Sequence, residues 1–460
     1  MSEERYESGK YAGYVKNINA GGHPGYMVKT FGCQMNESDS EKLAGWLESM
    51  GYRPEDSEED CSFIIFNTCC VRESAEQKLF GHLGEMKKYK TSNKDLVLAV
   101  CGCMMQQEGI AEKIKRSYPY ADIIFGSNGM HKLPRLLHEV LTKKHRAVDL
   151  EDDPAEGIAE GMPAVRSSGI SAYVPIMHGC DNYCTYCIVP YVRGREKSRN
   201  TEEILAEIRG LAAMGIKEIT LLGQNVNSYD GGISFAGLLR KAGGCDGIER
   251  VRFMTSHPKD IGRDILEAIH DTDAVCNHLH LPLQSGSNRI LGLMNRNYTR
   301  ESYFAILDMA REIVPGIGLS TDIIIGFPGE TEEDFVDTMD ALERIRFDFA
   351  FTFIYSRRKG TPAAKMPGEV SDEVKHDRFD RMLEVQNRIT LERNKDSIGT
   401  LETVLVEGTS RTDPSTMTGR TGSNKIVNFK ADGKKPGGFA EILITDARTW
   451  HLEGELYRWK

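Results

Sequence analysis

Two kinds of apolar pattern alternate along most of the chain. Short, nearly continuous apolar runs bounded by turn residues read as buried strands. Apolar residues recurring every three to four positions read as helices. GYMVKTF (25–31), CSFIIFNT (61–68), DLVLAVCG (95–102) and ADIIFGS (121–127) are the strands of a first unit. Helices are expected at 38–51, with Ser38 as cap and Gly51 as stop, through roughly 71–90, near 106–116 and near 130–143. Such alternation implies a parallel α/β sheet.

The alternation resumes over 171–397. Strands are expected at 172–179, 217–224, 250–256, 278–285, 318–327 and 348–355, with helices at 201–215, 300–313, 332–345 and a charged one at 371–397. Six strand–helix units suit an open (β/α)6 partial barrel, because a full eight-unit barrel needs more chain. After 398 the pattern changes. TVLVEG, IVNFK and EILITDA are short strands between Gly, Pro and Asn turns, the signature of a small β-barrel. Residues 1–24, polar and Gly-rich, read as a flexible lead. Residues 149–170, acidic with Gly and Pro, read as a linker. The expected fold is α/β in three parts: 25–148, 171–397 and a small β-barrel at 398–460.

Composition changes this picture little. The chain has 460 residues, 40% of them hydrophobic, and a net charge of −10. That charge argues against indiscriminate nucleic-acid binding but leaves room for a local basic groove. No apolar run approaches the ~18 residues of a membrane span. The first 30 residues lack a secretory apolar core, so a cytoplasmic protein with no membrane partner is expected. Eleven cysteines, an odd number, argue against a disulfide framework and leave metal binding or simple burial.

The cysteines carry the chemistry. HGCDNYCTYC places Cys180, Cys184 and Cys187 in a C-x3-C-x2-C triplet just after an expected strand. Three thiolates hold a [4Fe–4S] cluster and leave one iron open to an outside ligand, here the amino and carboxylate groups of S-adenosylmethionine. The competing zinc reading needs a second ligand pair, and none stands nearby. Tyr186, between the last two cysteines, is a candidate wall for the adenine. Gly223, Gln224, Gln284, Ser285 and Gly326 follow later strands and are candidate cofactor contacts, because α/β sites lie at the carboxyl ends of strands.

A second triplet is more dispersed. Cys33, Cys69 and Cys103 each follow a strand of the first unit, one βα repeat apart. Parallel strands bring equivalent ends to one sheet edge, so these three are expected to hold a second cluster. Alternation allows only one of Cys69 and Cys70 to reach it, and Cys69 is preferred. Cys101 and Cys103 would share a face; Cys103, further into the loop, is preferred. Cys61, Cys245 and Cys276 read as buried thiols.

TFGCQMNESDSEKLAG (30–45), FNTCCVRESAEQK (66–78), CGCMMQQEG (101–109), HGCDNYCTYCIVPYVRGREKSR (178–199), LLGQNVNSY (221–229), HLPLQSGSNRILGLMNRNYTRE (280–301) and TDIIIGFPGETEEDF (321–335) together resemble the methylthiotransferase family of radical S-adenosylmethionine enzymes. The wording of GCQMN and GQNVNSY is similar to the branch acting on isopentenyladenosine beside the tRNA anticodon. The resemblance implies an N-terminal methylthiotransferase domain, a radical core and a C-terminal RNA-binding TRAM barrel. It carries both cysteine triplets to [4Fe–4S] clusters and leaves Cys70 without a role. It further implies that one S-adenosylmethionine supplies the methyl group and a second the 5′-deoxyadenosyl radical. The implied partners are a tRNA anticodon loop, a reducing electron donor such as flavodoxin, and a sulfur source that the sequence does not identify.

Arg193, Arg195, Lys197 and Arg199, with Arg357 and Arg358, are candidate phosphate contacts; the alternative is a solvated charged face. The C-terminal barrel, with nine Lys and Arg against eight Asp and Glu, owes its RNA role to the resemblance rather than to charge. Alternatives are a methylthiotransferase with another tRNA nucleoside or a ribosomal protein as substrate, and a non-catalytic iron–sulfur RNA-binding protein.

Overall fold

The computed structural model describes residues 3–70, 73–151, 160–410, 413–431 and 436–460. Part of the expected linker at 149–170 lies outside these.

The first unit is a six-stranded parallel sheet. Gly25–Phe31, Cys61–Thr68, Val97–Gly102 and Ile123–Phe125 stand where the apolar runs place them. Two short strands, Arg53–Pro54 and Ala147–Asp149, complete the edges. With two or three residues each, they carry no alternation to read. The helix expected from Ser38 begins earlier, as Gln34–Ser49, with Cys33 at its N-cap. Ser38 is instead fully buried inside it.

The lead does not match its expectation. Glu3–Ile18 is a helix, Val15 is buried in the sheet's core, and the Ser8 hydroxyl donates to the His131 carbonyl at 2.7 Å. Its apolar positions are few, so its periodicity is weak. Tertiary packing against Leu133–Lys143 supplies what propensity does not.

The second unit is a partial barrel. Ser171–Pro175, Glu218–Leu222 and Arg250–Phe253 form one parallel sheet; His278–His280, Gly318–Ile325 and Phe349–Ile354 form another. A parallel bridge pairs Val251 of the first sheet with Val275, on the segment leading into His278–His280. Helices cover the outside, and Asp372–Lys395 runs on to the last unit. There five strands, Leu401–Thr409, Thr416–Arg420, Ile426–Lys430, Phe439–Ala447 and Leu452–Trp459, close a barrel. Arg250 and Arg252 hold it by donating to the carbonyls of Arg420, Thr403, Thr421 and Gly422.

Between the first two units, residues 160–170 act as a strap. Arg166 bridges Glu41 of the first unit at 2.8 Å and Glu207 of the second at 2.9 Å. Among the described residues no helix is long and apolar enough to cross a membrane.

Candidate active site

Register brings the dispersed triplet together. Phe31 pairs with Thr68, and Thr68 with Gly102, so three strands end level. Cys33, Cys69 and Cys103 follow those ends, and the Cys69 amide donates to the Phe31 carbonyl at 2.8 Å. Asn36 and Asn67 lock the loops. Asn36 Nδ2 donates to Asn67 Oδ1 at 3.0 Å, and Asn67 Nδ2 to the Asn36 carbonyl at 2.8 Å. The Cys33 thiol donates to Asn36 Oδ1 at 3.4 Å. Neither asparagine was singled out from the sequence, although an Asn three positions after a loop cysteine is the available signal.

Two readings of neighbouring cysteines change. Cys69 meets Cys33, but Cys70 meets Cys103, so both thiols turn toward the site. The strand has ended at Thr68, and side-chain alternation ends with it. Cys101 and Cys103, expected on one face, lie in different cores. Between them Gly102 takes φ 103°, outside the range of ordinary strand residues and so breaking the alternation, and a Cβ there would stand 2.3 Å from the Thr68 carbonyl oxygen.

The site favours thiolates. A hydrogen bond from Cys69 brings Cys33 down to about 6, with burial opposing it and the Arg193 charge assisting. Cys33 is exposed to solvent, whereas Cys69, Cys70 and Cys103 are buried. A hydrogen bond from Cys70, opposed by burial and assisted by Arg193, also lowers Cys103. The guanidinium of Arg193 donates from Nε to Cys103 Sγ at 2.9 Å and from Nη2 to Asp39 at 3.3 Å. Arg193 and Arg199 were expected on an RNA-facing surface; both are instead buried. Arg199 is held by Glu160, Glu207 and the Pro175 carbonyl. Arg195 is exposed and paired with Asp181, and Arg357 is exposed and paired with Glu369. Lys197 and Arg358 are half-buried.

The compact triplet, Cys180, Cys184 and Cys187, sits on a loop past the strand ends Ser171–Pro175 and Met177–His178. Gly179, at φ 73°, passes so close to the Arg195 carbonyl oxygen that a Cβ would stand 2.1 Å from it. The Cys180 amide donates to the Gly194 carbonyl at 3.2 Å, and the Cys187 amide to the Cys184 carbonyl at 2.9 Å. Asn182 Nδ2 donates to Cys180 Sγ at 3.4 Å, and Arg296 Nη1 to Cys184 Sγ at 3.3 Å. Arg296 was not foreseen, since it lies over 100 residues away in sequence. Burial, with Cys184 beside it, pushes Cys187 up to about 12, and burial also raises Cys180. Tyr186 packs against Phe327, Tyr355 and Met294. Among the described residues no three His, Cys, Asp or Glu side chains close on a single metal ion.

The barrel presents unpartnered polar atoms past its strand ends. Gln224 Oε1, Asn225 Oδ1, Ser256 Oγ, Gln284 Oε1 and both amide atoms of Asn227 are buried without partners. All follow strand ends of the barrel, and a buried unpaired polar atom costs about 1–3 kcal/mol. A ligand with an amino acid and a ribose would satisfy them, so these residues fit S-adenosylmethionine. Gln284 holds φ 67°, a left-handed conformation seldom adopted without a local reason. The other candidates have packing reasons. Ser285 is turned onto Thr338 and Ser287. A Cβ at Gly223 would strike Met177, and one at Gly326 would strike Lys375.

Residues 174–342 match the Radical SAM superfamily, 25–126 match the Uncharacterized protein family UPF0004 and 395–457 match the TRAM domain. A tRNA-2-methylthio-N(6)-dimethylallyladenosine synthase of Acetivibrio thermocellus is 52% identical over 98% of this chain and 94% of its own length. One of Clostridium perfringens is 53% identical over 94% of this chain and 97% of its own. A radical S-adenosylmethionine methyltransferase from Kitasatospora setae shares the fold at TM-score 0.55 and 15% identity, covering 74% of this chain and 75% of its own. The superfamily implies a [4Fe–4S] cluster and S-adenosylmethionine. With this identity running through all three units, the chain belongs to the radical S-adenosylmethionine methylthiotransferases, in the family of the tRNA-2-methylthio-N(6)-dimethylallyladenosine synthases.

Proposed function

We propose that the protein adds a methylthio group to carbon 2 of dimethylallyladenosine (isopentenyladenosine) next to the tRNA anticodon, using two [4Fe–4S] clusters and S-adenosylmethionine in the cytoplasm. The supporting observation is the pair of cysteine triplets, one on each side of a single domain junction, with Arg193 of the radical domain on Cys103 of the dispersed triplet. When bound, the cofactors supply a radical able to break an aromatic C–H bond and a methylated sulfur to replace the hydrogen.

The chain's own residues do the rest. Cys180, Cys184 and Cys187 hold the radical cluster, with Asn182 and Arg296 donating to two of the sulfurs. Gln224, Asn225, Ser256 and Gln284 orient S-adenosylmethionine through polar atoms that have no other partner. Tyr186 walls the adenine. Cys33, Cys69 and Cys103 hold the auxiliary cluster, where Arg193 keeps sulfur in its anionic form. The target base leaves the anticodon loop to reach the site, as single-stranded RNA allows. The TRAM barrel, Arg195, Lys197, Arg357 and Arg358 hold the phosphates, and an electron donor such as flavodoxin supplies reducing equivalents.

The test is reconstituted protein with an anticodon stem-loop carrying dimethylallyladenosine. C180A, C184A and C187A should each abolish 5′-deoxyadenosine formation. C33A and C103A should keep it and lose the methylthiolated nucleoside. Loss of 5′-deoxyadenosine in the second group, with its iron intact, would contradict the division of labour.

A further inference from the structure

We propose that Arg193 is a positioning residue that clamps the radical-site segment onto the auxiliary thiols, fixing the spacing of the two triplets while donating an N–H to the sulfur of Cys103. The inference rests on both triplets being cluster sites.

The segment that carries Arg193 cannot move without the radical triplet. Val189–Arg193 is a five-residue helix beginning two positions after Cys187. It ends at Gly194, whose carbonyl accepts from the Cys180 amide at 3.2 Å. Both ends of the triplet are therefore pinned to this helix. The guanidinium reaches three partners on three elements: Cys103 Sγ at 2.9 Å, Asp39 Oδ2 at 3.3 Å and His178 Nδ1 at 3.2 Å. Asp39 is inside Gln34–Ser49, the helix that Cys33 caps. Arg193 thus touches the elements carrying Cys33 and Cys103 at once.

Geometry separates this from an ordinary buried ion pair. Both side chains are 3% exposed, and a charge so buried needs compensation. A carboxylate alone would satisfy one edge of the guanidinium. Here a second edge is turned onto a cysteine sulfur. Only a planar, forked cation fits three fixed points; lysine offers a single charge on a flexible stem. An N–H donated to a cluster sulfur stabilises the more negative, reduced state and so raises its potential.

The experiment uses reconstituted R193Q and R193K with iron content checked. The potential is read by an EPR-monitored titration in chains that also carry C180A, C184A and C187A, which leaves only the auxiliary signal. Protein with both clusters gives the ratio of methylthiolated nucleoside to 5′-deoxyadenosine. R193Q should lower the potential and cut the ratio about tenfold to a hundredfold, the usual range for an outer-shell partner. Formation of 5′-deoxyadenosine should persist, and R193K should recover only part of the ratio. An unchanged potential and ratio in iron-replete R193Q overturns the proposal. Should R193Q not fold, D39N carries the test, because it leaves Arg193 on Cys103 and loosens its far side. Hydrogen exchange at 103–106 should then accelerate and the ratio fall; no change in either overturns the proposal. Wild-type protein that makes no methylthiolated nucleoside refutes the functional reading alone, since potential and exchange are read without RNA.

Discussion

At the residue scale, the paired thiols Cys69 and Cys70 pose the sharpest question, because both turn into the auxiliary site. Cys69 neighbours Cys33 and its amide is tied to the adjacent strand end. Cys70 neighbours Cys103 alone among the triplet's outer members. C69A should lose methylthiolation and keep 5′-deoxyadenosine formation, while C70A should keep both, as product analysis by mass spectrometry will read. The reverse pattern would give Cys70 the ligand role. His278 makes a different prediction. Burial, then His280, brings it from its ordinary 6.5 down to about 3. The unfolded chain takes up a proton near 6.5 and the folded chain does not until about 3. Stability is therefore complete above 6.5 and is lost as the pH falls below it, by at most about 1.4 kcal/mol per pH unit for this group. Thermal melts should show lower stability at pH 5 than at pH 7.5, with a shallower slope in H278N. An identical slope would show that His278 does not contribute.

At the scale of elements, Gly102 holds the third strand's end in a conformation that other residues resist. G102A adds a Cβ 2.3 Å from the Thr68 oxygen at φ 103°. It should destabilise the first unit by about 2 kcal/mol or more and reduce iron retention at the auxiliary site, measured by chemical denaturation and iron assay. The long strands were legible in sequence because each is an apolar run closed by turn residues, and Gly25–Phe31 and Cys61–Thr68 keep those bounds. That Cys33, Cys69 and Cys103 follow level strand ends was legible because parallel strands share one carboxyl edge. What stayed hidden depends on contacts distant in sequence. Glu3–Ile18 is a helix because Leu133–Lys143 covers it. Arg193 and Arg199 look like surface cations until Asp39, Cys103, Glu160 and Glu207 fold around them. Cys101 parts from Cys103 through one glycine at positive φ, which a rule of alternation cannot register.

At the scale of the whole molecule, the proposed function makes one demand: a radical source and a sulfur store must face the same base. The strap at 160–170 ties the two units together through Arg166 between Glu41 and Glu207. R166A takes the cation from the buried Glu41 carboxylate, which keeps Ser167, and one of two arginines from half-buried Glu207, and should cost about 2 kcal/mol, seen as a lower melting temperature. The central claim is that this junction makes 2-methylthio nucleosides in tRNA. Mass spectrometry of tRNA nucleosides from a strain lacking the gene tests it most directly. The 2-methylthio form of dimethylallyladenosine should vanish and its unthiolated parent accumulate. The product should return with the intact gene, and not with C33A or C184A. Persistence of the 2-methylthio nucleoside in the deletion strain, or its return with either variant, would contradict the account.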